Sequence, residues 1–356
     1  MSSQSLTLAD LGWRNFFASQ INPGTQGHLK PVRVLAVHRD RLDAAGAGYE
    51  GQILPFAIHD GQQDLRATVG DWLLMEENGH RPLHLLARQS LFKRRAPGSD
   101  RREQLIAANV DVLFIVSSCN ADFNIARLER YLALAREADV TPVLVLTKGD
   151  TADDAESYAD AARELQPDLL VELVDGRDPT RVRGLLAWCA LGQTVALTGS
   201  SGVGKSTLIN TLTGRQDIAT QGIREDDGRG RHTTSGRALH RLPAGGWLID
   251  TPGMRELQLA DAKTGIESVF ADIAEIALGC RFADCRHQTE PGCAVRAAVE
   301  SGTIDPDRIL RWHKLQAEDA FNTGSLAERH ARARAFGKIG KAAMQDKRRR
   351  RDEPLG

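Results

Sequence analysis

The sequence lacks long apolar runs and an export signal. None of its apolar stretches approaches the roughly 18 to 20 residues that a membrane-spanning helix needs. Residues Met1 to Ala18 show no basic segment followed by an apolar core, so no signal peptide is predicted. We therefore expect a cytoplasmic protein without a membrane partner. Its 356 residues, 41% apolar and 26% charged, are typical of a soluble protein with two or three domains.

Cysteine is also scarce, with five residues in the chain. Cys119 and Cys189 lie in apolar surroundings and are predicted to be core residues. The other three cluster with a histidine, and a cytosolic cluster favours metal binding over a disulfide. Three thiolates and one imidazole form the ligand set of a closed structural Zn²⁺ site, although the cluster could also be metal-free. The predicted zinc ligands are Cys280, Cys285, His287 and Cys293, the middle two on a loop.

The net charge of −1 is unevenly distributed. Between Arg329 and Arg351 there are ten Lys and Arg residues and one acidic residue, Asp346, whereas the rest of the chain is acidic overall. A basic tail on an acidic body indicates a polyanionic partner. The alternative is a solvated, disordered end.

The region from Lys30 to Arg88 alternates short apolar runs with turn signals. This pattern predicts a small β-barrel, of the OB type among others, which would bind oligonucleotides; a purely structural β-domain is the alternative. We expect a loosely ordered lead-in before it, with a short helix near Leu8 to Ala18, and a basic linker from Arg88 to Arg102. The predicted strands are Val32–Val37, Gly51–Phe56, Asp71–Met75 and Leu83–Leu86, with a turn at Ala45–Gly48.

From Asn109 onward, buried strands alternate with helices, which predicts a parallel sheet with helices on both faces. The segment from Arg215 to Ser235 is polar and is predicted to be mobile. The predicted strands are Val110–Ser117, Val140–Leu146, Leu169–Val174, Thr194–Leu197, Ala238–Leu242 and Gly246–Asp250, and the predicted helices are Asn124–Asp139, Asp153–Leu165 and one that runs through Leu185–Trp188.

A phosphate-binding loop follows one of these strands and leads into a helix, the context that the G-x-x-x-x-G-K-[ST] motif requires. Glycines let the backbone N–H groups converge on an anion at the helix N-terminus. Lys205 can reach the β- and γ-phosphates, and Ser206 can ligate Mg²⁺. A Gly/Ser-rich turn is the alternative. The loop consists of Gly199, Ser200, Ser201, Gly202, Val203, Gly204, Lys205, Ser206 and Thr207.

Two further motifs lie at predicted strand ends. Asp250 opens Asp-Thr-Pro-Gly, in which the carboxylate would hold the Mg²⁺ shell and the Gly253 N–H would sense the γ-phosphate. Thr147, Lys148 and Asp150 match a [N/T]-K-x-D base motif. A buried carboxylate at Asp150 would accept hydrogen bonds from guanine N1–H and the exocyclic amine, which adenine cannot donate. Together the motifs predict a Mg²⁺-dependent GTPase.

The order of the motifs is permuted, because the base motif precedes the phosphate loop. In this order and in its Cys/His cluster the chain resembles the RsgA (YjeQ) family of circularly permuted GTPases, which assist maturation of the small ribosomal subunit. The resemblance covers roughly Val32 to Glu318. It implies an OB barrel, a permuted GTPase domain and a zinc-binding helical domain that act on the 30S subunit and its 16S rRNA.

The resemblance also assigns a switch and marks two departures, at Thr147 and at Val174-Asp175-Gly176. Arg231-His232-Thr233-Thr234 is similar to the family's first switch, in which Thr234 or Thr233 would cap Mg²⁺. His232 either positions the attacking water or is an exposed switch residue. Met254 cannot orient water, so slow intrinsic hydrolysis is expected. Thr147 replaces the usual Asn, and Val174-Asp175-Gly176 stands where the family has Ser-Ala, so weaker guanine binding is expected.

These motifs predict five segments: a lead-in (1–29), an OB-type RNA-binding domain (30–90), a permuted GTPase domain (105–258), a zinc-binding helical domain (262–325) and a basic tail (326–356). The predicted zinc-domain helices are Ala294–Glu300 and Asp305–Ala320, the latter carrying Arg308, Arg311, His313 and Lys314. We expect a monomeric GTP hydrolase, with one structural Zn²⁺ and with Mg²⁺ bound to GTP, that serves as a late 30S assembly checkpoint, is stimulated by the subunit and is released on hydrolysis. The alternatives are an rRNA-binding chaperone stabilised by nucleotide and an ATP-dependent phosphotransferase.

Overall fold

The computed structural model describes residues 6–59, 64–77, 79–95, 103–214, 237–250, 254, 257 and 259–323, with backbone only at 58, 59, 64, 65, 95, 237 and 250. None of the helices within these ranges is both long and apolar enough to cross a bilayer.

The amino-terminal part consists of two short helices and seven strands. Its interior is filled by inward-facing residues such as Val32, Val34 and Leu73. The predicted turn at Ala45–Gly48 was placed too early, because the second strand continues to Gly46 and pairs with Tyr49. The elements are α1 (Asn15–Ala18), α2 (Pro23–Gln26), β1 (Lys30–Val37), β2 (Leu42–Gly46), β3 (Tyr49–Ile53), β4 (Ala57–His59), β5 (Asp64–Arg66), β6 (Trp72–Met75) and β7 (Pro82–Leu85).

The predicted basic linker is wrong over its first part. Leu91–Arg95 forms β8, which pairs antiparallel with β9 (Glu103–Ala108). The charges in β8 have cross-strand partners, since Lys93 contacts Glu103 at 2.9 Å and Arg94 donates to Gln104 at 2.8 Å. Lys93 and Glu103 are diagonal neighbours across the ladder, and such polar pairs stabilise the pairing, which explains a strand in so basic a run.

A parallel sheet with helices follows, as predicted. Five parallel strands stand in the order β12-β11-β10-β13-β15, and β14 adds antiparallel to β15. The elements are β10 (Val112–Ser118), α3 (Ile125–Glu137), β11 (Thr141–Thr147), α4 (Ala155–Arg163), β12 (Leu170–Leu173), α5 (Arg183–Leu186), β13 (Thr194–Thr198), α6 (Lys205–Thr213), β14 (Arg237–Arg241) and β15 (Trp247–Asp250).

Alternate residues of these strands pack against helices on opposite faces of the sheet. Leu113 and Ile115 of β10 share a core with α3 and α4. Phe114 and Val116 belong to a second core with Leu208 and other residues of α6. Strands buried on both faces have continuous apolar sequences, which is why they could be predicted as uninterrupted apolar runs.

Strands of the amino-terminal part and the parallel sheet belong to a single sheet. β14 pairs antiparallel with β1 at Ala36↔Ala238 and Val37↔Arg237, so β1, β2, β3, β6 and β7 form one eleven-stranded sheet with the five parallel strands and β14. We call this junction the seam. Strand pairing across it joins segments about 200 residues apart in the sequence.

The buried side chain of Arg33 in β1 also connects the amino-terminal part to the parallel sheet. Its side chain is 1% exposed, and it donates to the Leu11 carbonyl at 2.6 Å and to the Thr194 hydroxyl at 2.7 Å, thereby joining the lead-in to β13. The guanidinium also lies 5.9 Å from the centre of the Trp72 ring. Burial lowers the pKa of Arg33 to about 10, which still leaves it charged at neutral pH.

The carboxy-terminal helices dock on α3. They are α7 (Lys263–Val269), α8 (Ala271–Ala277), α9 (Ala294–Glu300) and α10 (Pro306–Thr323). Gly265 of α7 lies so close to α3 that a Cβ there would be 2.1 Å from the Ala133 carbonyl oxygen. The Gly265 N–H donates to Glu137 at 2.7 Å. The sequence predicted α9 and α10 but gave no separate signal for α7 and α8.

Candidate functional site

The predicted nucleotide motifs gather at one edge of the sheet. The phosphate loop follows β13, the base motif follows β11, and Asp250 ends β15. These strands are parallel, so their carboxyl ends meet at the same edge, which is where ligands bind in open α/β sheets. The fold therefore brings together segments that lie about 100 residues apart.

The phosphate loop has the backbone geometry that its glycines predict. Gly199, Gly202 and Gly204 have φ angles of 139°, 79° and 94°, a region that side chains disfavour. At Gly199 a Cβ would also lie 2.2 Å from the Val116 carbonyl oxygen. The loop leads directly into α6, so its N–H groups and the helix N-terminus form an anion-binding cradle.

Lys205 lies inside this loop. Its side chain is buried, and its ammonium donates to the carbonyl oxygens of Gly199, at 2.7 Å, and of Ser200. The loop also contacts α3, because the Arg127 guanidinium donates to the Ser200 hydroxyl. The ammonium is thus held at the phosphate loop, a short distance from the predicted position of the phosphate oxygens.

Thr147 links the base motif to the phosphate loop. Its hydroxyl lies 2.6 Å from the Val203 carbonyl oxygen and 3.1 Å from that of Ser117. The next residue, Lys148, has a φ of 58° and turns the chain into the 3₁₀ turn Gly149–Thr151. The base motif therefore contacts the phosphate loop through the Thr147 hydroxyl, although the expected residue at this position is Asn.

Asp150 lies in that turn, but its side chain is 39% exposed rather than buried as predicted. It accepts a hydrogen bond of 2.6 Å from Nη2 of Arg177. Arg177 also holds Asp175 through Nε and Nη2, each at 3.0 Å. These bonds hold the pKa of Asp175 below its usual range. Sequence reasoning missed Arg177, whose only signal was its place two residues after Asp175.

The loop that contains Asp175 is anchored to the phosphate-loop helix. The hydroxyl of Thr211, in α6, donates to the Gly176 carbonyl at 2.6 Å. The Val174 N–H donates to the Leu146 carbonyl at 2.9 Å, next to the base motif. The segment Val174–Gly176 thus stands beside Asp150, at the position where the family resemblance implies a base-contacting loop.

Several predicted site residues lie outside the described part of the chain. These are the switch residues His232, Thr233 and Thr234, the Asp250 side chain and Gly253. The basic tail from residue 326 onward also lies outside it. Met254 is described; it is 1% exposed, and its carbonyl accepts a hydrogen bond of 2.7 Å from the Thr198 hydroxyl. A buried thioether fits the prediction that this residue does not orient water.

The four predicted zinc ligands come together in the loop between α8 and α9. Their ligand atoms all lie within 4.8 Å of one another. Nδ1 of His287 is 3.5 Å from the Cys280 sulfur and 3.4 Å from the Cys293 sulfur, and these two sulfurs are 3.9 Å apart. A tetrahedral zinc site has S···N edges of about 3.6 Å and S···S edges of about 3.8 Å. The cluster can therefore hold a metal ion of that size.

Two arginines of the predicted helix Asp305–Ala320 face inward in α10. Arg308 and Arg311 contact the buried Glu129 of α3 at 3.2 and 2.8 Å, with side-chain exposures of 16% and 22%. Burial raises the pKa of Glu129, and the two arginines oppose that effect. Their charges thus help to dock α10 on α3.

Comparison with known proteins agrees with this arrangement. Residues 85–260 match the family model described as RsgA GTPase. The chain is 50% identical to small ribosomal subunit biogenesis GTPase RsgA 2 of Vibrio parahaemolyticus, over 98% of this chain and 96% of that protein. It is 52% identical to small ribosomal subunit biogenesis GTPase RsgA of Mesorhizobium japonicum, over 91% and 93%.

Solved structures show the same fold. YjeQ from Thermotoga maritima matches with a TM-score of 0.59 and 22% identity, over 81% of this chain and 97% of that one. YloQ, described as a circularly permuted GTPase, matches with a TM-score of 0.59 and 23% identity, over 85% and 98%. The permuted strand order inferred from the motifs is thus confirmed. With identities near 50% over almost its whole length, the chain belongs to the RsgA family and is a circularly permuted GTPase.

Proposed function

We propose that this GTPase hydrolyses GTP to GDP and phosphate while bound to the small ribosomal subunit, as a late assembly checkpoint whose turnover is stimulated by the subunit and coupled to release. The names of its relatives support the subunit as partner. The observation that carries the proposal is the convergence of the phosphate loop and the base motif at one sheet edge, linked by the Thr147 hydroxyl.

The site residues have distinct proposed roles. Thr147, Lys148 and Asp150 bind guanine, and the loop from Gly199 to Thr207 binds the phosphates. Lys205 neutralises the β- and γ-phosphates. Mg²⁺, which would neutralise charge on the phosphates, would be held by Ser206, by Asp250 and by Thr234 or Thr233. His232 and Gly253 are proposed to position water and to sense the γ-phosphate.

The remaining parts are proposed to bind the ribosome. The amino-terminal β-unit (30–90) and the zinc-binding helical unit (262–325) with its basic tail would contact 16S rRNA from two sides of the GTPase unit (105–258). The Cys/His cluster is proposed to hold one structural Zn²⁺, since four protein ligands leave no position for water. We propose a cytoplasmic monomer, in keeping with a ribosomal partner.

The test is GTP and ATP turnover by the full-length chain, with and without purified 30S subunits, at low and high salt. We expect slow GTP turnover alone, GTP-selective stimulation on the order of tenfold or more by 30S subunits, and loss of stimulation as salt weakens phosphate contacts. Lys205→Ala should abolish turnover, whereas Lys263→Ala, an exposed lysine of α7, should not. If the chain binds 30S subunits but its slow turnover is not stimulated by them, the result would favour the nucleotide-stabilised chaperone.

A further inference from the structure

Arg177 makes contacts that guanine itself would need. Its Nη2 group donates one hydrogen bond to Oδ2 of Asp150 and one to Oδ2 of Asp175. Guanine recognition by a carboxylate uses both oxygens, one for N1–H and one for the exocyclic amine. The ion pair with Arg177 and the guanine contact therefore compete for Oδ2 of Asp150.

The competition is chemically specific. The edge of guanine that a carboxylate reads is an N1–H and an amine joined through C2, which is the N–C–N unit of a guanidinium. Arg177 turns this edge, Nε and Nη2, toward Asp175, and its Nη2 also donates to Asp150. Asp150 therefore already accepts one donor of the kind that the base presents. Adenine has no such unit, so its nucleotides do not compete for this carboxylate.

Asp175 keeps Arg177 at the site. Nε of Arg177 and its backbone N–H both bond Oδ1 of Asp175, each at 3.0 Å, and neither contact involves Asp150. The side chain can therefore leave Asp150 without leaving Asp175. The backbone beneath is fixed, because the Gly176 carbonyl accepts the Thr211 hydroxyl of α6.

We propose that Arg177 is an internal competitor for guanine, occupying Asp150 when the base is absent and lowering the fraction of molecules ready to bind. The inference rests on the proposed role of Asp150 in base recognition. An exposed ion pair is weak, so its removal should tighten guanine binding by only about two- to fivefold. The effect falls on the association rate, because the pair exists only in the empty site.

The experiment compares fluorescent GDP and ADP binding to the full-length wild-type chain and to Arg177→Gln. We expect Arg177→Gln to bind GDP about two- to fivefold more tightly at low salt through faster association, with an unchanged dissociation rate and no gain for ADP. The gain should vanish at high salt. Removal of a positive charge near an anionic ligand would by itself weaken binding, so the predicted sign is diagnostic.

Two controls separate the outcomes. Arg163→Gln removes another exposed arginine that is paired with two carboxylates, Glu156 and Asp160, and should not tighten GDP binding. Unchanged or weaker GDP binding by Arg177→Gln, or a faster dissociation rate, would overturn the competitor role; Arg177→Ala must give the same result. Asp150→Asn tests the underlying assignment independently, since it should abolish the preference for GDP over ADP; a retained preference would refute the base-binding role itself.

Discussion

The Thr147 hydroxyl shows how one atom replaces a larger side chain. An Asn at this position could offer both a donor and an acceptor, whereas the hydroxyl has a single proton to donate. It lies nearest to the Val203 carbonyl, at 2.6 Å, in a buried position. A buried hydrogen bond of this kind contributes about 1 kcal/mol to stability. The link between base motif and phosphate loop is therefore retained in reduced form.

Thr147→Val keeps the shape of the side chain and removes that link. We expect the free energy of unfolding to fall by about 1 kcal/mol and GTP affinity to fall by roughly three- to fivefold, because the phosphate loop loses a support. Calorimetric melting and nucleotide titration measure the two effects. Thr141→Val, at the exposed beginning of the same strand, is the matched control. Equal behaviour of the two variants would contradict the role of the hydroxyl.

Single residues differ in how far the sequence foretold them. The phosphate-loop glycines were predictable, because local backbone geometry demands them and the motif fixes their spacing. The Arg177–Asp150 pair was not, since it joins residues 27 positions apart whose distance depends on two loops. Asp150 was expected to be buried because its function was inferred from chemistry, and chemistry alone does not give solvent exposure.

Helix α3 connects the phosphate loop with the carboxy-terminal helices. Arg127 at its beginning contacts Ser200 of the loop, and Glu129, two residues later, contacts α10. Arg130 adds a pair with Glu318 of α10 at 2.7 Å. Near the end of α3, Ala133 and Glu137 contact Gly265 of α7. One helix thus contacts both the phosphate loop and the helices of the unit that carries the Cys/His cluster.

Gly265→Ala tests the close packing of α7 on α3. Alanine would favour the helix by up to about 1 kcal/mol, but its Cβ would meet the Ala133 carbonyl oxygen at 2.1 Å and the Glu137 nitrogen at 2.9 Å. Backbone atoms of a packed helix cannot yield, so we expect a net loss of about 1–3 kcal/mol in unfolding free energy.

The control for this variant is Gly184→Ala in α5, where the nearest atom belongs to the flexible Glu172 side chain, at 3.3 Å. Its stability should change by no more than about 0.5 kcal/mol. Chemical denaturation followed by circular dichroism measures both variants. A Gly265→Ala protein as stable as the wild type would show that α7 is free to shift on α3.

Elements with a strong hydrophobic pattern were predicted well. Examples are the helix Ala294–Glu300 and the strands of the parallel sheet, because burial on one or both faces determines which positions are apolar. Strand β8 was missed because its charges look like a linker until Glu103 and Gln104 stand opposite. The information that makes it a strand lies in β9, ten residues away.

At the scale of the whole molecule, the motif order foretold the permutation, but not the seam between β1 and β14. Motif order is a property of the sequence itself. The seam depends on how two separately predictable units are oriented in space, and no local pattern records it. The inward turn of Arg308 and Arg311 escaped prediction for the same reason, because Glu129 lies about 180 residues before them.

Removal of metal should act on one part of the molecule. If the Cys/His cluster holds a structural ion, a strong chelator under reducing conditions should unfold the loop around Cys285 and His287 and loosen α9 and the adjoining part of α10, because metal-binding energy is folding energy in such sites. His287 packs 5.4 Å from the Trp312 ring, so Trp fluorescence should report the loss.

Elemental analysis of the purified chain should give about one zinc per molecule, falling to none in Cys285→Ser; Cys189→Ser, a buried cysteine outside the cluster, should keep its metal. GDP binding should survive chelation, because the phosphate loop and base motif belong to the sheet. The zinc assignment would be refuted if the purified protein contained no metal and its Trp fluorescence did not change on addition of the chelator.

The seam also limits how this chain can be divided. A fragment beginning near residue 103 would retain every strand from β10 to β15, yet it would strip β1 from the outer side of β14. The bared strand would then display unpaired N–H and C=O groups, the template on which a second molecule adds. Thr194 would at the same time lose the guanidinium of Arg33. The isolated GTPase unit is therefore expected to self-associate, although its nucleotide-binding edge would be intact.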